Sequence, residues 1–301
     1  MRYVQICLGL ALLVGAVGCP EGRFNLLRPT GLGPMPAEVP SKEDLVQYLN
    51  YNSSNIPGLQ SDDVSLTCYS GGPVGIPVSA KLRCQGPRNF RMKATAVGSE
   101  EVDLGSNDQE FWYWIKRGDK YQFFCSYQAL ESGNVKYTPF PFQPDWVLEA
   151  MYMGKYGPAE RYELVVEKEK LKLVEKTKSP QGTPVRKVIV FNRRQAEKDQ
   201  PQVTDFQLVD EASNKLICSA HVVRRTVIPG KCEFPRELEL RWPEQSMKLV
   251  LTINAPQLTG NIPPQVFART PLKGVPSFDL ATGRVEGMQQ AGGPKGAGWQ
   301  R

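Results

Sequence analysis

From Val64 to Ile253 apolar side chains recur at every second position, and that alternation restricts the chain to β structure. Val64, Leu66 and Cys68 alternate with polar partners, as do Val78, Ala80, Leu82 and Cys84, then Phe90, Met92, Ala94 and Ala96. Phe111–Ile115 reads as a strand with aromatic residues on both faces, and Tyr121–Tyr127 as its partner across Arg117-Gly-Asp119. Further strands are expected over 161–166, 170–176, 185–192, 203–209, 215–226, 237–242 and 248–253, joined by turns such as Ser179-Pro-Gln-Gly182 and Ile228-Pro-Gly230. Only two helices are expected. Ser41-Lys-Glu-Asp44 matches a capping box ahead of Leu45, Tyr48 and Leu49, a helix predicted to end near Asn50. The second runs from Asp145 to about Met153, after the breaker Pro144. About eleven consecutive strands with so few helices exclude a parallel α/β sheet and imply one strongly curved antiparallel sheet or barrel.

The N-terminus points to export. Arg2 is followed by an apolar stretch from Val4 to Val17, broken only by Gln5, which ends in Ala16-Val17-Gly18-Cys19. That stretch is short of the ~20 apolar residues that span a membrane, and it fits a cleavable signal peptide over 1–18. Ala-Val-Gly-Cys resembles the lipobox of bacterial lipoproteins, which makes Cys19 the expected lipidation site. The alternative is an ordinary signal peptide with a chance cysteine. One acyl chain such as palmitate gives only marginal anchoring, whereas a diacylglyceryl thioether with an added N-acyl chain meets the requirement for a stable one. Pro20 stands where enterobacterial lipoproteins carry an Asp for inner-membrane retention, so the expected location is the outer membrane, facing the periplasm. Residues 19–40, rich in Pro and Gly, read as a tether. Residues 41–272 form the β domain, and 273–301, poor in apolar residues, a disordered tail.

Composition narrows function by exclusion. The net charge is +6, and +5 once the segment bearing Arg2 is removed, with Lys and Arg spread among Glu and Asp. Nucleic-acid binding would need a concentrated basic face, so no such partner is expected. No phosphate-loop or dinucleotide-binding glycine pattern occurs, and no cofactor or metal is expected. His221 is the single histidine, inside a predicted strand, and the sequence has no Gly-x-Ser-x-Gly, so an enzyme is disfavoured. Export allows disulfides among Cys68, Cys84, Cys125, Cys218 and Cys232; the guessed pairs are Cys68 with Cys84 and Cys218 with Cys232.

Several segments together are similar to a known family. The early helix, Gly86-Pro-Arg-Asn-Phe90-Arg91, Leu104-Gly-Ser-Asn-Asp108, Phe111-Trp-Tyr-Trp114, Phe234-Pro235, Asn254 after a strand, and Val266-Phe267 before Pro271 resemble the lipoprotein-localisation factors, the LolA/LolB-like proteins. The resemblance covers roughly Ser41 to Pro271 and implies a half-open antiparallel barrel with short covering helices. It also implies an apolar cavity that holds acyl chains, with lipids or other lipoproteins as partners and no catalysis. Greater length, extra cysteines and the Pro-rich tether depart from the family pattern.

Inward alternation nominates Leu82, Phe90, Met92, Phe111, Tyr113, Phe123, Leu164 and Val166 as cavity lining, with ordinary core packing as the alternative. Arg91 should face the other way, in an ion pair or against a polar lipid head. Phe140, Phe142 and Trp146, stiffened by neighbouring prolines, form a candidate lid or membrane-touching loop, or else seal one barrel end. Two functions from different classes remain: a lipid or lipoprotein binder with an open cavity, and a structural envelope lipoprotein with a filled core. For the anchor itself, Cys19→Ser should abolish incorporation of labelled palmitate and move the protein into the soluble fraction. Labelling that survives this substitution overturns the assignment of Cys19.

Overall fold

The computed structural model describes residues 39–286, except 117–118, 136, 138–143, 180–181, 197–200 and 229–231. The signal, Cys19 and most of the tether lie outside the described residues. Helix α1 (Lys42–Ser54) opens with the expected capping box: Ser41 Oγ accepts from the Asp44 N–H at 3.2 Å, and the Asp44 carboxylate accepts from the Ser41 N–H at 3.1 Å. It continues past Asn50 because Asn52 is buried and its side-chain oxygen accepts from the Glu233 N–H at 3.0 Å. Leu45, Val46 and Leu49 face the sheet.

The strands are β1 (Leu59–Ser70), β2 (Ile76–Gln85), β3 (Asn89–Ala96), β4 (Ser99–Ser106), β5 (Glu110–Ile115), β6 (Gln122–Ser126), β7 (Tyr162–Val166) and β8 (Lys170–Lys178). They continue with β9 (Pro184–Asn192), β10 (Val203–Asp210), β11 (Leu216–Ile228), β12 (Cys232–Trp242), β13 (Met247–Ile253), β14 (Gln257–Leu258), β15 (Ser277–Asp279) and β16 (Arg284–Val285). Short helices α2 (Tyr127–Glu131), α3 (Pro144–Ala150) and α4 (Arg193–Ala196) complete the set. The strands form one mixed sheet in the order β16-β15-β6-β5-β4-β3-β2-β1-β13-β12-β11-β10-β9-β8-β7, with β14 beside β1. It is not closed: β16 and β7 are its edges. All pairings are antiparallel except β15 with β6. The expected mainly β architecture with few helices is what the chain adopts, with more strands than the sequence pattern resolves.

The register sorts side chains into rows. Leu82, Met92, Leu104, Tyr113 and Phe123 stand opposite one another across five consecutive strands on the inner face. The next row, Arg83, Arg91, Gly105, Trp112 and Phe124, lies on the outer face. That outer face is covered too. Arg91 and Asp103 form a buried ion pair at 3.0 Å. Asp103 also accepts from Trp112 Nε1 at 3.4 Å and from Gln122 Nε2 at 3.2 Å. The C-terminal segment lies over this cluster, accepting from Arg91 at the Ala268 carbonyl and from Gln122 at the Thr270 carbonyl, at 3.0 and 3.1 Å. Burial raises the Asp103 pKa while Arg91 opposes the shift.

Two sequence expectations are corrected here. Residues 273–286 are not a disordered tail: Phe278 of β15 is buried, its ring 5.6 Å from each of Tyr121, Phe123 and Tyr137. Residues 287–301 lie outside the described residues. The guessed disulfides are not formed. Cys68 stands opposite Ile76 and Cys84 opposite Leu59, at the two ends of the β1–β2 pair. The length of β2 from Ile76 to Cys84, at roughly 3.3 Å per residue, puts them about 26 Å apart, against the ~7 Å that a disulfide tolerates between Cα atoms. Cys218 faces Leu208 at one end of β11, whereas Cys232 pairs with Ile228 at the other. Cys68, Cys84, Cys125 and Cys218 are free thiols.

Two measurements check this account. Asp103→Ala strands the buried guanidinium and should cost about 3–5 kcal/mol in urea unfolding, whereas the joint replacement Arg91→Met with Asp103→Leu should cost much less. At the β5–β6 turn, the Asp119 carboxylate accepts from the Ile115 N–H at 2.7 Å, yet burial pushes its pKa up to about 6. Folding therefore favours its protonated form. The stability this adds is complete below the ordinary aspartate value and is lost as pH rises through about 6. Asp119→Asn keeps the acceptor without the charge. It should melt about 2–4 °C above the parent at pH 8 and level with it at pH 4.

Candidate functional site

The inner face of the sheet supplies a wall of one chemistry. Leu66 of β1, Phe90 and Met92 of β3, Leu104 of β4, Leu240 and Trp242 of β12 and Leu249 of β13 meet around a slot. Ile115 and Met247, both partly exposed, stand at its rim. Its exposed lining is wholly apolar. The slot is small, about 20 Å³, room for about one water. Ligand pockets are typically ~300 Å³ or larger, so the interior in this state is filled.

What fills it is α3. Its Val147 reaches the slot, Leu148 is fully buried, and Trp146 packs edge-on against Trp242 with ring centroids 6.2 Å apart. The helix has only the two turns that Pro144–Ala150 allows, too few to be stable alone. Polar contacts fasten both of its ends. At the N-terminal end, Asp145 accepts from the Tyr127 hydroxyl at 3.1 Å, and Tyr127 shares a 2.7 Å hydrogen bond with Ser106. Arg88 lies 3.6 Å from Asp145 and stacks over the Tyr127 ring at 4.0 Å. Burial pushes the Asp145 pKa up, with Arg88 pulling it back. At the C-terminal end, Lys187 Nζ donates to Glu149 at 2.7 Å.

Leu82, Phe90, Met92, Phe111, Tyr113 and Phe123 all face the inside. Of these, Phe90 and Met92 line the slot, while Leu82, Phe111, Tyr113 and Phe123 pack in the core around it. Tyr113 and Phe123 stack at 5.2 Å, and Phe111 meets Tyr127 at 6.0 Å. Leu164 is half-buried against the core, whereas Val166, at the end of edge strand β7, is 47% exposed and lines nothing. Trp146 is not on an exposed loop. It is buried, because its indole fills the space beside Trp242. Phe140 and Phe142 lie outside the described residues. Arg91 takes the ion-pair role.

Sequence reasoning missed Val147, Trp242 and the β13 residues as slot walls. Trp242 and Leu249 carried the signal, since each belongs to a period-two run already read as a strand. His221 accepts or donates at 2.9 Å to Asp205, its cross-strand neighbour on β10, and half of its side chain is exposed. Among the described residues, no helix is long and apolar enough to cross a membrane, and no group of His, Cys, Asp and Glu is arranged to hold a metal ion.

No protein-family model matches the sequence, and no curated protein matches it. Solved structures do. The chain is similar to a DUF1329 family protein from Desulfovibrio piger, with a TM-score of 0.48 and 11% identity over 75% of this chain and 95% of that one. It is similar to a LolA superfamily protein from Nitrosomonas europaea, with a TM-score of 0.45 and 10% identity over 74% and 97%. It is also similar to a domain described as an outer membrane lipoprotein-sorting protein from Vibrio parahaemolyticus, with a TM-score of 0.47 and 6% identity over 74% and 95%.

Proposed function

We propose that this chain is a lipid-anchored envelope protein that takes an acyl chain, free or on another lipoprotein, into its half-barrel by displacing α3. The observation that carries this reading is a wholly apolar slot closed by one short helix. An apolar ligand and the plug compete for the same wall. Trp146, Val147 and Leu148, at ~1.5–3 kcal/mol per buried side chain, hold α3 down with roughly 5–9 kcal/mol. A chain of about twelve methylenes, at ~0.8 kcal/mol each, supplies on the order of 10 kcal/mol. The exchange is close to balanced, which is the condition for a plug that yields to its ligand and returns. The anchor at Cys19 and the tether keep the slot near the membrane, on the periplasmic face of the outer membrane. No catalytic step is part of this reading.

A second reading has its own observation. At about 20 Å³ the slot in the closed form admits no lipid, as expected of an envelope interaction protein whose core is permanently filled.

The two separate in one experiment. The full-length Cys19→Ser protein, purified without detergent, is examined by native mass spectrometry and titrated with a fluorescent fatty acid. Co-purifying lipid, or saturable binding, supports the plug. Asp145→Ala removes one fastening of α3. It should tighten the apparent affinity about fivefold, because the closed state loses about 1 kcal/mol. An empty protein that also ignores the fatty acid, with and without Asp145→Ala, leaves the filled-core reading.

A further inference from the structure

A second and larger cavity of about 80 Å³ lies between α3 and strands β7 to β10. It differs from the slot in chemistry, because charged side chains line it. Lys187 of β9 reaches in and donates to Glu149 at 2.7 Å. Arg161, just before β7, pairs with Glu175 of β8. Lys155 stands exposed at the rim. The Tyr156 hydroxyl donates to the Glu149 carbonyl at 3.0 Å. Gly157 makes room for the guanidinium: a Cβ there would stand 2.7 Å from Arg161 Cδ and 2.8 Å from its Nη1.

Two features of this wall call for a ligand. The first is donor surplus. A guanidinium carries five N–H groups and an ammonium three. Arg161, whose side chain is 57% exposed, and Lys187 each spend one donor atom on a carboxylate, and Lys155 adds a third cation against two carboxylates. The second is Trp146. It lines this cavity, it is 2% exposed, and its Nε1–H is buried with no hydrogen-bond partner. A buried donor left unmade costs about 1–3 kcal/mol unless something accepts from it. A space of this size holds about five to eight water-sized groups, the scale of one tetrahedral oxyanion.

We propose that this cavity binds one phosphate-type anion, as a free phosphate or as the head of a phospholipid. Arg161, Lys187 and the Trp146 N–H supply the hydrogen bonds. The Glu149 and Glu175 carboxylates pair with Lys187 and Arg161 and limit the site to a single anionic group. The inference does not depend on acyl binding, since the anion site is complete without the slot.

The test is calorimetric titration of the full-length Cys19→Ser protein in phosphate-free buffer. The three probes are inorganic phosphate, dihexanoyl phosphatidic acid, and dihexanoylglycerol as the uncharged counterpart. Phosphate and phosphatidic acid should both bind, and Arg161→Gln or Lys187→Gln should weaken each at least tenfold. Lys155→Gln changes an exposed side chain. It should weaken them by a smaller factor in a protein that folds normally, even where Lys187→Gln is unstable. Phosphatidic acid binding tenfold tighter than phosphate assigns the site to a lipid head, and equal affinities assign it to a free anion. Phosphate binding without any response to dihexanoylglycerol would uphold this site while counting against the acyl slot. Absence of phosphate and phosphatidic acid binding up to about 10 mM, or binding indifferent to all three substitutions, overturns the proposal.

Discussion

Among the described residues there is one sheet and no second sheet to pack against it, and the rest of the structure depends on that. A sheet must bury its apolar face on something, and a sandwich does so with a facing sheet. Here the inner face is buried on helices instead: α1 contacts β12 and β7, and α3 sends Val147 into the slot. Of the row Leu82, Met92, Leu104, Tyr113 and Phe123, Met92 and Leu104 are slot walls and the others pack in the core beside them. On the proposed reading, the width of that slot depends on where a single two-turn helix sits.

The outer face solves a different problem. Strands β4 and β5 are largely buried on both sides because the C-terminal segment returns across them and adds β15 beside β6. Covering that face removes Arg91, Asp103 and Gln122 from water, and the cluster persists because each satisfies the others and the carbonyls of the covering chain. Arg269 continues the clasp, pairing with Glu110 at 3.1 Å and Glu286 at 3.0 Å and lying 3.9 Å over the Phe124 ring. The C-terminal segment is thus part of the barrel wall, and its loss would expose a charged pair as well as a ring.

This arrangement explains what was legible in the sequence. Strands with one wet face kept their alternation, so β2, β3 and β8 to β13 could be read directly, as could the capping box that starts α1. Strand β4 could not. Its Val102, Asp103, Leu104, Gly105 and Ser106 are all buried, and a strand covered on both faces loses the period-two signal. Strands β15 and β16 are too short to show a period, and the Gly and Pro around Phe278 mimic a disordered tail. The disulfide guess failed for a related reason. Alternation placed each cysteine on a face, but only the register fixes position along the strand, and there the partners stand at opposite ends. Phe90 and Met92 were readable as slot residues from their own strand. Val147 was not, because its role depends on a helix folding back from a distant part of the chain.

Helix α3 is also where the two cavities meet. Adjacent residues serve different compartments: Val147 enters the apolar slot, while Trp146 lines the charged cavity and packs on Trp242, itself a wall of the slot. Glu149, at the far end of the same helix, is held by Lys187, one of the cations of the charged cavity. An anion that draws Lys187 away from Glu149 loosens the fastening of the plug. An acyl chain that lifts the plug withdraws Trp146 from the anion. These two effects oppose each other, so the net coupling is set by the difference in anion affinity between the plugged and unplugged forms, and linkage requires each ligand to change the affinity of the other by the same factor. If α3 moves as one body, occupancy of the charged cavity must alter acyl affinity; if the two sites titrate independently, α3 is a fixed part of the core and not a plug.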